Sequence, residues 1–201
     1  MGRRKTNPWD RRGEGSPSAA RALAGVRAQK EGVSWEATLA GACKLYALRS
    51  EARILHVGAP FKLVGRQSGH LRTGVFAGKG GGDFMGFVCA DGFSVPFEAD
   101  AKETTQARWS FSELKDHQAH GLESVAKGGG YAGVLLSMQG RSWWLPWADL
   151  GPLWWAWSKT RDRGERAKPG TASLNLRRCM AIGHGFRGGD FLPAVLGGPR
   201  G

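Results

Sequence analysis

Residues 82–102 read GDFMGFVCADGFSVPFEADAK, and this stretch predicts two antiparallel strands joined by a turn at Asp91-Gly92. An Asp-Gly pair suits a two-residue turn, since glycine adopts positive φ at little cost. With that turn the pairing runs outward from 90 with 93, so that Asp83 lies directly opposite Asp100, with the two Cβ atoms roughly 5 Å apart. The stretch therefore predicts a hairpin that brings two carboxylates together.

Side chains alternate between the two faces of a strand, which divides this hairpin into an apolar and a charged face. Glu98, Asp100 and Lys102 share one face. The other face carries apolar side chains, those of Phe84, Val88, Val95, Phe97, Ala99 and Ala101. Pro96 removes a backbone donor from the ladder and predicts an edge strand or a bulge. We therefore expect the core on one face of the hairpin and the chemistry on the other.

Carboxylates held this close repel one another, so a proton, an ammonium group or a metal cation must accompany them. Oxygen ligands suit Mg²⁺, which keeps several waters and takes one or two protein carboxylates, leaving room for phosphate oxygens. Asp83 followed by Asp100-Ala101-Lys102 resembles the motif of the PD-(D/E)xK nucleases, with Gly82 in place of the usual proline. A surface hairpin with a solvated charged edge is the alternative.

The resemblance extends over about three-fifths of the chain, from about Gly32 to Leu150. Five segments in this order resemble the RecU family of Holliday junction resolvases: 32–36 (GVSWE), 43–46 (CKLY), 82–86 (GDFMG), 97–104 (FEADAKET) and 117–118 (HQ). The resemblance implies an α/β fold of the PD-(D/E)xK nuclease type, with a mixed central sheet flanked by helices. It also implies an endodeoxyribonuclease that makes symmetric nicks in four-way DNA junctions during recombination and repair.

The same resemblance implies roles for individual side chains. Glu36, Asp83 and Asp100 are expected to bind Mg²⁺, for which Mn²⁺ is expected to substitute. Lys102 is expected to contact the attacking water or the scissile phosphate, and Gln118 to support the site from the following helix.

Two of these assignments have alternatives. Glu98 lies on the same strand face as Asp100 and is an auxiliary candidate that would replace Asp100 as the ligand if Asp100 proved dispensable. Glu36, without the resemblance, is equally well explained as an ordinary acidic residue in the first turn of a helix, where a carboxylate favours the helix dipole.

The net charge of +12 is concentrated in the two ends of the chain. Residues 1–30 carry eight Lys or Arg and two acids, residues 158–201 carry nine and three, and residues 31–157 carry twelve of each. We therefore expect a flexible basic arm (1–30), a nuclease domain (31–157) and a flexible, basic, Gly-rich tail (158–201). Basic arms predict a polyanionic partner, DNA, because neutralised phosphates release counterions. Extensions that only aid solubility are the alternative.

Residues 61–82 contain four cationic side chains, no acid and many glycines; the cations are Lys62, Arg66, Arg72 and Lys79. The family resemblance implies that this insertion is a stalk that enters the junction centre, and these four residues are the expected DNA contacts. A flexible loop is the alternative.

The remaining patterns place helices and strands around the hairpin. Helical spacing runs from Ser34 to about Arg49, and again from a cap at Ser112 to Lys127, while strands are expected at 53–57, 131–136 and 141–145.

Six of the nine tryptophans fall within 143–157. So much aromatic surface favours packing in a core or a subunit interface over base stacking. Two equivalent strands to cut would require two active sites, which favours a C₂ homodimer.

Three widely spaced cysteines give neither a disulfide framework nor a zinc motif, and no apolar stretch is long enough for a signal or a membrane span. We therefore expect a cytoplasmic protein without membrane contact. Two other functions remain open from the sequence: another PD-(D/E)xK nuclease for restriction, repair or end processing, or a non-catalytic DNA-binding protein.

Overall fold

Strands and helices are intermixed along the chain, in the order expected of an α/β fold. The structure, a computed structural model, describes residues 35–57, 81–164 and 170–197, and the backbone of 61–68 and 71–76. The helices are α1 (35–48), α2 (Asp116–Lys127), α3 (Trp147–Asp162), α4 (Leu176–Ile182) and α5 (Leu192–Leu196). The strands are β1 (Ala52–His56), β2 (Phe61–Ser68), β3 (Leu71–Phe76), β4 (Phe84–Ala90), β5 (Phe93–Thr104), β6 (Arg108–Ser110), β7 (Tyr131–Met138), β8 (Arg141–Pro146), β9 (Ser173–Asn175) and β10 (His184–Phe186).

Six of the strands form one mixed sheet in the order β1-β4-β5-β7-β8-β10. All neighbours are antiparallel except β5 and β7, which are parallel. Parallel neighbours need a crossover connection, and here α2 provides it. The predicted α/β architecture, a mixed central sheet flanked by helices, is confirmed.

The hairpin of β4 and β5 has the predicted register, from Ala90↔Phe93 at the turn to Phe84↔Ala99. Asp91 and Gly92 have φ angles of 54° and 81°, the left-handed conformation that both central residues of a type I′ turn require. Asp83 therefore stands one residue beyond the last pair, on the side of Asp100.

Pro96 lies in a central strand of the sheet, so an edge strand is the wrong description of β5 as a whole. The reason that proline is tolerated is local. On one side Pro96 is opposite Phe87 of β4, but β5 pairs with β7 only from Phe97↔Tyr131 onward. The first residues of β5 therefore extend past the end of β7, where the strand has a free edge and no donor is missed.

Both faces of the sheet are covered by helices. One core joins the apolar face of the hairpin to side chains of α1 and α5, including Leu39, Tyr46 and Val195. The other lies beneath α2 and α3 and includes Leu122 and Trp154. Every residue of β7 is buried as a result. The charged face of β5 therefore lies partly beneath a helix, and is not an open surface.

The tryptophan-rich segment belongs to the core, as its composition predicts. Five of its six indoles are buried, those of Trp143, Trp144, Trp147, Trp154 and Trp157. Polar atoms satisfy several of the indole N–H groups: Trp147 and Trp155 donate to Glu123 Oε2 at 2.6 and 3.2 Å, and Trp154 donates to the Phe111 carbonyl at 3.2 Å. These buried rings have no free face for a nucleic-acid base.

The expected flexible tail is wrong for residues 170–197. Strand β9 pairs with β6, and β10 extends the main sheet beyond β8. Phe191 and Val195 are fully buried, and the Tyr46 hydroxyl donates to Asp190 Oδ1 at 2.7 Å, which ties this segment to α1. A few well-spaced apolar residues suffice to order a segment whose glycine and arginine content suggests a coil. The expected arm at 1–30 lies outside the described residues.

The predicted insertion contains a second hairpin, in which β2 and β3 form a separate antiparallel sheet with a register shift between Val64 and Ser68. The side chains of Lys62, Arg66 and Arg72, and the whole of Lys79, lie outside the described residues, as does the expected cap Ser34. Helix α2 begins at Asp116, after a 3₁₀ turn at Phe111–Glu113 that Ser110 caps; the cap predicted at Ser112 is wrong.

None of the described helices is both long and apolar enough to cross a lipid bilayer.

Candidate active site

Asp83 is one of the two acids of the site and immediately precedes β4. Its Oδ2 accepts a hydrogen bond from the backbone N–H of Ala101 at 2.9 Å, so its carboxylate reaches across to β5 beside Asp100. On the other side, the Asp83 carbonyl accepts a hydrogen bond from Val57 N at 2.7 Å. The backbone of Asp83 is thus held by Val57, the residue after β1, while its side chain is held by β5.

Asp100 is completely buried, yet both of its oxygens lie next to polar groups. Oδ1 accepts a hydrogen bond from Gln118 Nε2 at 2.5 Å, and Oδ2 lies 2.6 Å from the Lys102 ammonium. The Lys102 contact is an ion pair by distance, but its angles are not those of a hydrogen bond, and Oδ2 has no other donor among the described residues. A further cation at this oxygen would therefore lie beside the Lys102 ammonium or displace it.

Burial raises the pKa of Asp100 to about 7, because the carboxylate loses its hydration; Lys102 opposes the rise and Asp83 adds to it. The carboxyl group consequently keeps its proton to a higher pH than a solvated aspartate does when no additional cation is present. A divalent ion would favour the carboxylate. The same three features, desolvation, a neighbouring ammonium and a second acid, distinguish functional carboxylates from solvated ones.

Gln118 is oriented from both ends of its side-chain amide. Its Oε1 accepts a hydrogen bond from Lys115 N, the N-cap of α2, at 2.9 Å. The amide oxygen is thereby committed to the helix terminus, and Nε2 points to Asp100. The structure brings the sequence-predicted residues Asp83, Asp100, Lys102 and Gln118 together.

Glu98 is also buried, and it holds a neighbouring backbone group. Its Oε1 accepts a hydrogen bond from Gly82 N at 2.8 Å. Burial raises the pKa of this carboxyl group, and the Gly82 N–H opposes the rise. A Cβ atom placed at Gly121 or Gly81 would lie only 2.5 or 2.8 Å from Glu98 Oε1. Glycines therefore form the walls around Glu98, a constraint that the sequence analysis missed although the glycines at 81, 82 and 121 signalled it.

Glu36 lies in the first turn of α1, and its Oε2 is 3.3 Å from His56 Nε2 at the end of β1. Both side chains are partly exposed. The imidazole of His56, which the sequence analysis did not single out, also packs at 4.9 Å from the ring of Phe84, the residue after Asp83. No hydrogen bond joins Glu36 to Asp83 or Asp100 in the described part of the chain.

A metal site can be tested against these side chains. Within residues 35–57, 81–164 and 170–197, no three His, Cys, Asp or Glu side chains lie close enough to form a complete ligand set. Mg²⁺, however, keeps several waters and needs only one or two carboxylates. Asp83 and Asp100, with a buried oxygen that lacks a hydrogen-bond donor, fit such an ion as a two-carboxylate site.

Comparison with known proteins identifies one family. The family model RecU, described as recombination protein U, matches residues 30–167. The match includes Glu36, the hairpin, α2 and the tryptophan-rich helix, and it ends before β9. No curated protein gives a significant match. The matched range covers most of the chain and contains all four residues that meet at the site, so this chain belongs to the RecU family of Holliday junction resolvases, nucleases that act in recombination.

Proposed function

We propose that this protein is a Mg²⁺-dependent, structure-selective endonuclease that acts as a homodimer in the cytoplasm and nicks four-way DNA junctions at symmetric positions. The observation that carries the proposal is the fully buried Asp100 carboxylate, held between the Lys102 ammonium and the Gln118 amide next to Asp83. Family membership supports the junction as substrate.

Asp83 and Asp100 are the side chains that would hold Mg²⁺. Glu36 is proposed as a third ligand from the family resemblance, and it would have to exchange its contact with His56 for one with the ion. The bound ion supplies Lewis acidity and lowers the pKa of coordinated water, which allows hydrolysis of a phosphodiester at neutral pH. We expect Mn²⁺ to replace Mg²⁺, since it accepts the same oxygen ligands.

The protein's own contribution is to fix charges where the phosphoryl group reacts. The Lys102 side chain is 17% exposed at the rim of the site, which places its ammonium where it can stabilise charge on phosphoryl oxygens or position the attacking water. Gln118 occupies Asp100 Oδ1, so that a cation would bind Oδ2, the oxygen that lies beside the Lys102 ammonium. Glu98 anchors Gly82 and thereby the backbone that leads to Asp83.

A junction presents two equivalent strands, so symmetric cleavage requires two active sites related by a two-fold axis. We propose that the β2–β3 hairpin reaches the junction centre and that Lys62, Arg66, Arg72 and Lys79 contact its phosphates. The separate two-stranded sheet that β2 and β3 form is the support for this role.

The experiment that tests the proposal is incubation of the purified protein with an end-labelled synthetic four-way junction, with and without Mg²⁺. Paired nicks at equivalent positions on opposite arms are expected, leaving 5′-phosphate and 3′-hydroxyl ends, and Asp100→Asn should bind the junction without cutting it. Linear duplex and flap DNA are tested in parallel as comparison substrates. Equal cleavage of all three would indicate a different nuclease, and no product with any divalent ion would indicate a non-catalytic binding protein.

A further inference from the structure

A basic pocket of about 420 Å³ lies outside the site described above, between β6, β9 and α4. Its described lining contains three arginines and several neutral polar side chains but no acid: Arg108, Thr171, Ser173, Asn175, Arg177 and Arg178, with Gly170 and Ala181. A concave surface that collects this much positive charge without an acid is suited to an anion.

The two-stranded sheet of β6 and β9 forms one wall of the pocket. Arg108 pairs with Asn175, and Trp109 pairs with Leu174. Trp109 and Leu174 are fully buried in the core beneath α2 and α3. Because side chains alternate along a strand, Arg108 and Asn175 are turned outward, on the opposite face of this small sheet. The core therefore fixes the orientation of the pocket wall.

Helix α4 carries the other two arginines. Asn175 caps the helix by accepting a hydrogen bond from Arg178 N at 2.9 Å, and Arg178 Nη1 donates to the Gly170 carbonyl at 2.6 Å. Arg178 is thus fixed in place. Arg108 and Arg177 are exposed, and neither forms an ion pair within the described residues. Their guanidinium groups are available to a phosphate, which arginine binds through several N–H donors at once.

The pocket lies close to the proposed active site along the chain. Arg108 follows Lys102 by six residues, which limits the distance between their Cα atoms to about 21 Å. One DNA strand carries a phosphate every 3.4 Å along the helix axis, so this distance corresponds to about six nucleotides. The distance from the active site to the pocket is therefore short enough for one strand to span.

We propose that Arg108, Arg177 and Arg178 form a second DNA-binding site, which holds a backbone phosphate within about six nucleotides of the cleaved one. Two of these arginines lie beyond residue 167, outside the segment that matches the RecU family. The choice of DNA as the ligand rests on the proposed function. The role of the pocket is to hold the substrate in register, because a phosphate contact fixes position without reading sequence.

The test is junction binding by the full-length protein in EDTA, which separates binding from cleavage. Arg108→Gln combined with Arg177→Gln should weaken binding at least about fivefold and reduce the slope of log Kd against log salt by about one to two. Arg178 is left intact because it contacts Gly170. The matched control is Lys44→Gln with Arg49→Gln, which removes the same charge from exposed positions in and after α1 and should leave the slope nearly unchanged.

A second measurement uses the wild-type protein, so that the result does not depend on the variants folding. Bound junction should protect Arg108 and Arg177 from an arginine-specific dicarbonyl reagent, whereas inorganic phosphate at equal ionic strength should not. Equal effects of the two double variants, or no protection by DNA, would overturn the proposal while leaving the nuclease function intact. Full protection by inorganic phosphate alone would assign the pocket to a small phosphate compound. A protein that binds no DNA at all would contradict the proposed function itself.

Discussion

At the scale of single residues, Asp100 makes a pH-dependent contribution to the stability of the protein. Its pKa is raised from 3.8 to about 7 in the folded state, chiefly by burial. Between these two values the folded protein binds more protons than the unfolded chain, so the free energy of unfolding falls as pH rises. The stability that the protonated carboxyl contributes is fully present below about pH 4 and is lost as pH passes through about 7.

Asp100→Asn should therefore be more stable than the wild type at pH 8, by roughly 2–4 kcal/mol, because the neutral amide carries no cost of burying a charge. At pH 4 the two proteins should differ little. Urea unfolding of both proteins in EDTA at the two pH values measures this difference. A stability difference that is the same at both pH values would contradict the assignment of the raised pKa to Asp100.

Glu98 and Asp100 are both buried acids on one face of β5, but their contacts predict different behaviour. Glu98→Ala leaves the buried Gly82 N–H without an acceptor, at a cost of about 1–3 kcal/mol, and frees the backbone before Asp83. We expect cleavage to fall at least about tenfold, as is usual when a catalytic group is misplaced. Glu98→Gln keeps a carbonyl acceptor and should restore most of the activity.

Single-turnover cleavage rates across a Mg²⁺ titration compare the two variants. A positioning role predicts that the glutamine variant resembles the wild type. If glutamine and alanine variants are folded and equally inactive, Glu98 acts through its charge and replaces Asp100 as the metal ligand.

At the scale of elements, α2 is the helix that completes the site. It connects the parallel strands β5 and β7, and it packs on the charged face of β5. Gln118 in its first turn contacts Asp100, and Gly121, one turn later, packs against Glu98. The same helix thus sets the position of two carboxyl groups on the strand beneath it.

Replacing Gly121 by alanine tests this packing. Alanine normally stabilises a helix relative to glycine by up to about 1 kcal/mol, but here its Cβ would lie 2.5 Å from Glu98 Oε1. We expect Gly121→Ala to destabilise the protein by about 1–2 kcal/mol, because Glu98 must give up its bond to Gly82. The matched control is Gly41→Ala in α1, where nothing lies within 4 Å and stabilisation is expected. Thermal unfolding measures both variants. Melting temperatures that shift in the same direction for the two substitutions would contradict this account.

The elements also show what the sequence can and cannot predict. The turn at Asp91-Gly92 and the register of β4 with β5 follow from local rules, so the proximity of Asp83 and Asp100 is predictable. That α2 buries Glu98 is not, because it depends on packing between distant segments. The C-terminal elements are missed for a related reason: Phe191 and Val195 lie among glycines without a regular period, and only the tertiary core shows that they are buried.

At the scale of the whole molecule, the C-terminal elements are part of the folded unit. Strand β10 pairs with β8, and Leu192 N donates to the Tyr46 hydroxyl, so residues from both ends of the described chain share one core. Removal of residues 170–201 would expose this core and leave β8 as an unpaired edge strand.

We therefore expect a protein truncated after residue 169 to lose cooperative unfolding or to aggregate, and not merely to bind DNA more weakly. Circular dichroism with thermal unfolding, run beside a variant that lacks only residues 198–201, measures the effect. A truncated protein with an unchanged melting temperature would show that the C-terminal elements are dispensable for the core.

The hairpin and its following helix give the molecule one further property. Asp83, Asp100, Lys102 and Gln118 all lie within residues 83–118, and the two acids are joined by a tight turn. Closing so short a stretch of chain costs little entropy, whereas docking α5 against α1 brings together residues 146 positions apart in the chain. We expect the catalytic geometry to form early during folding, ahead of the long-range contacts that stabilise the rest of the domain.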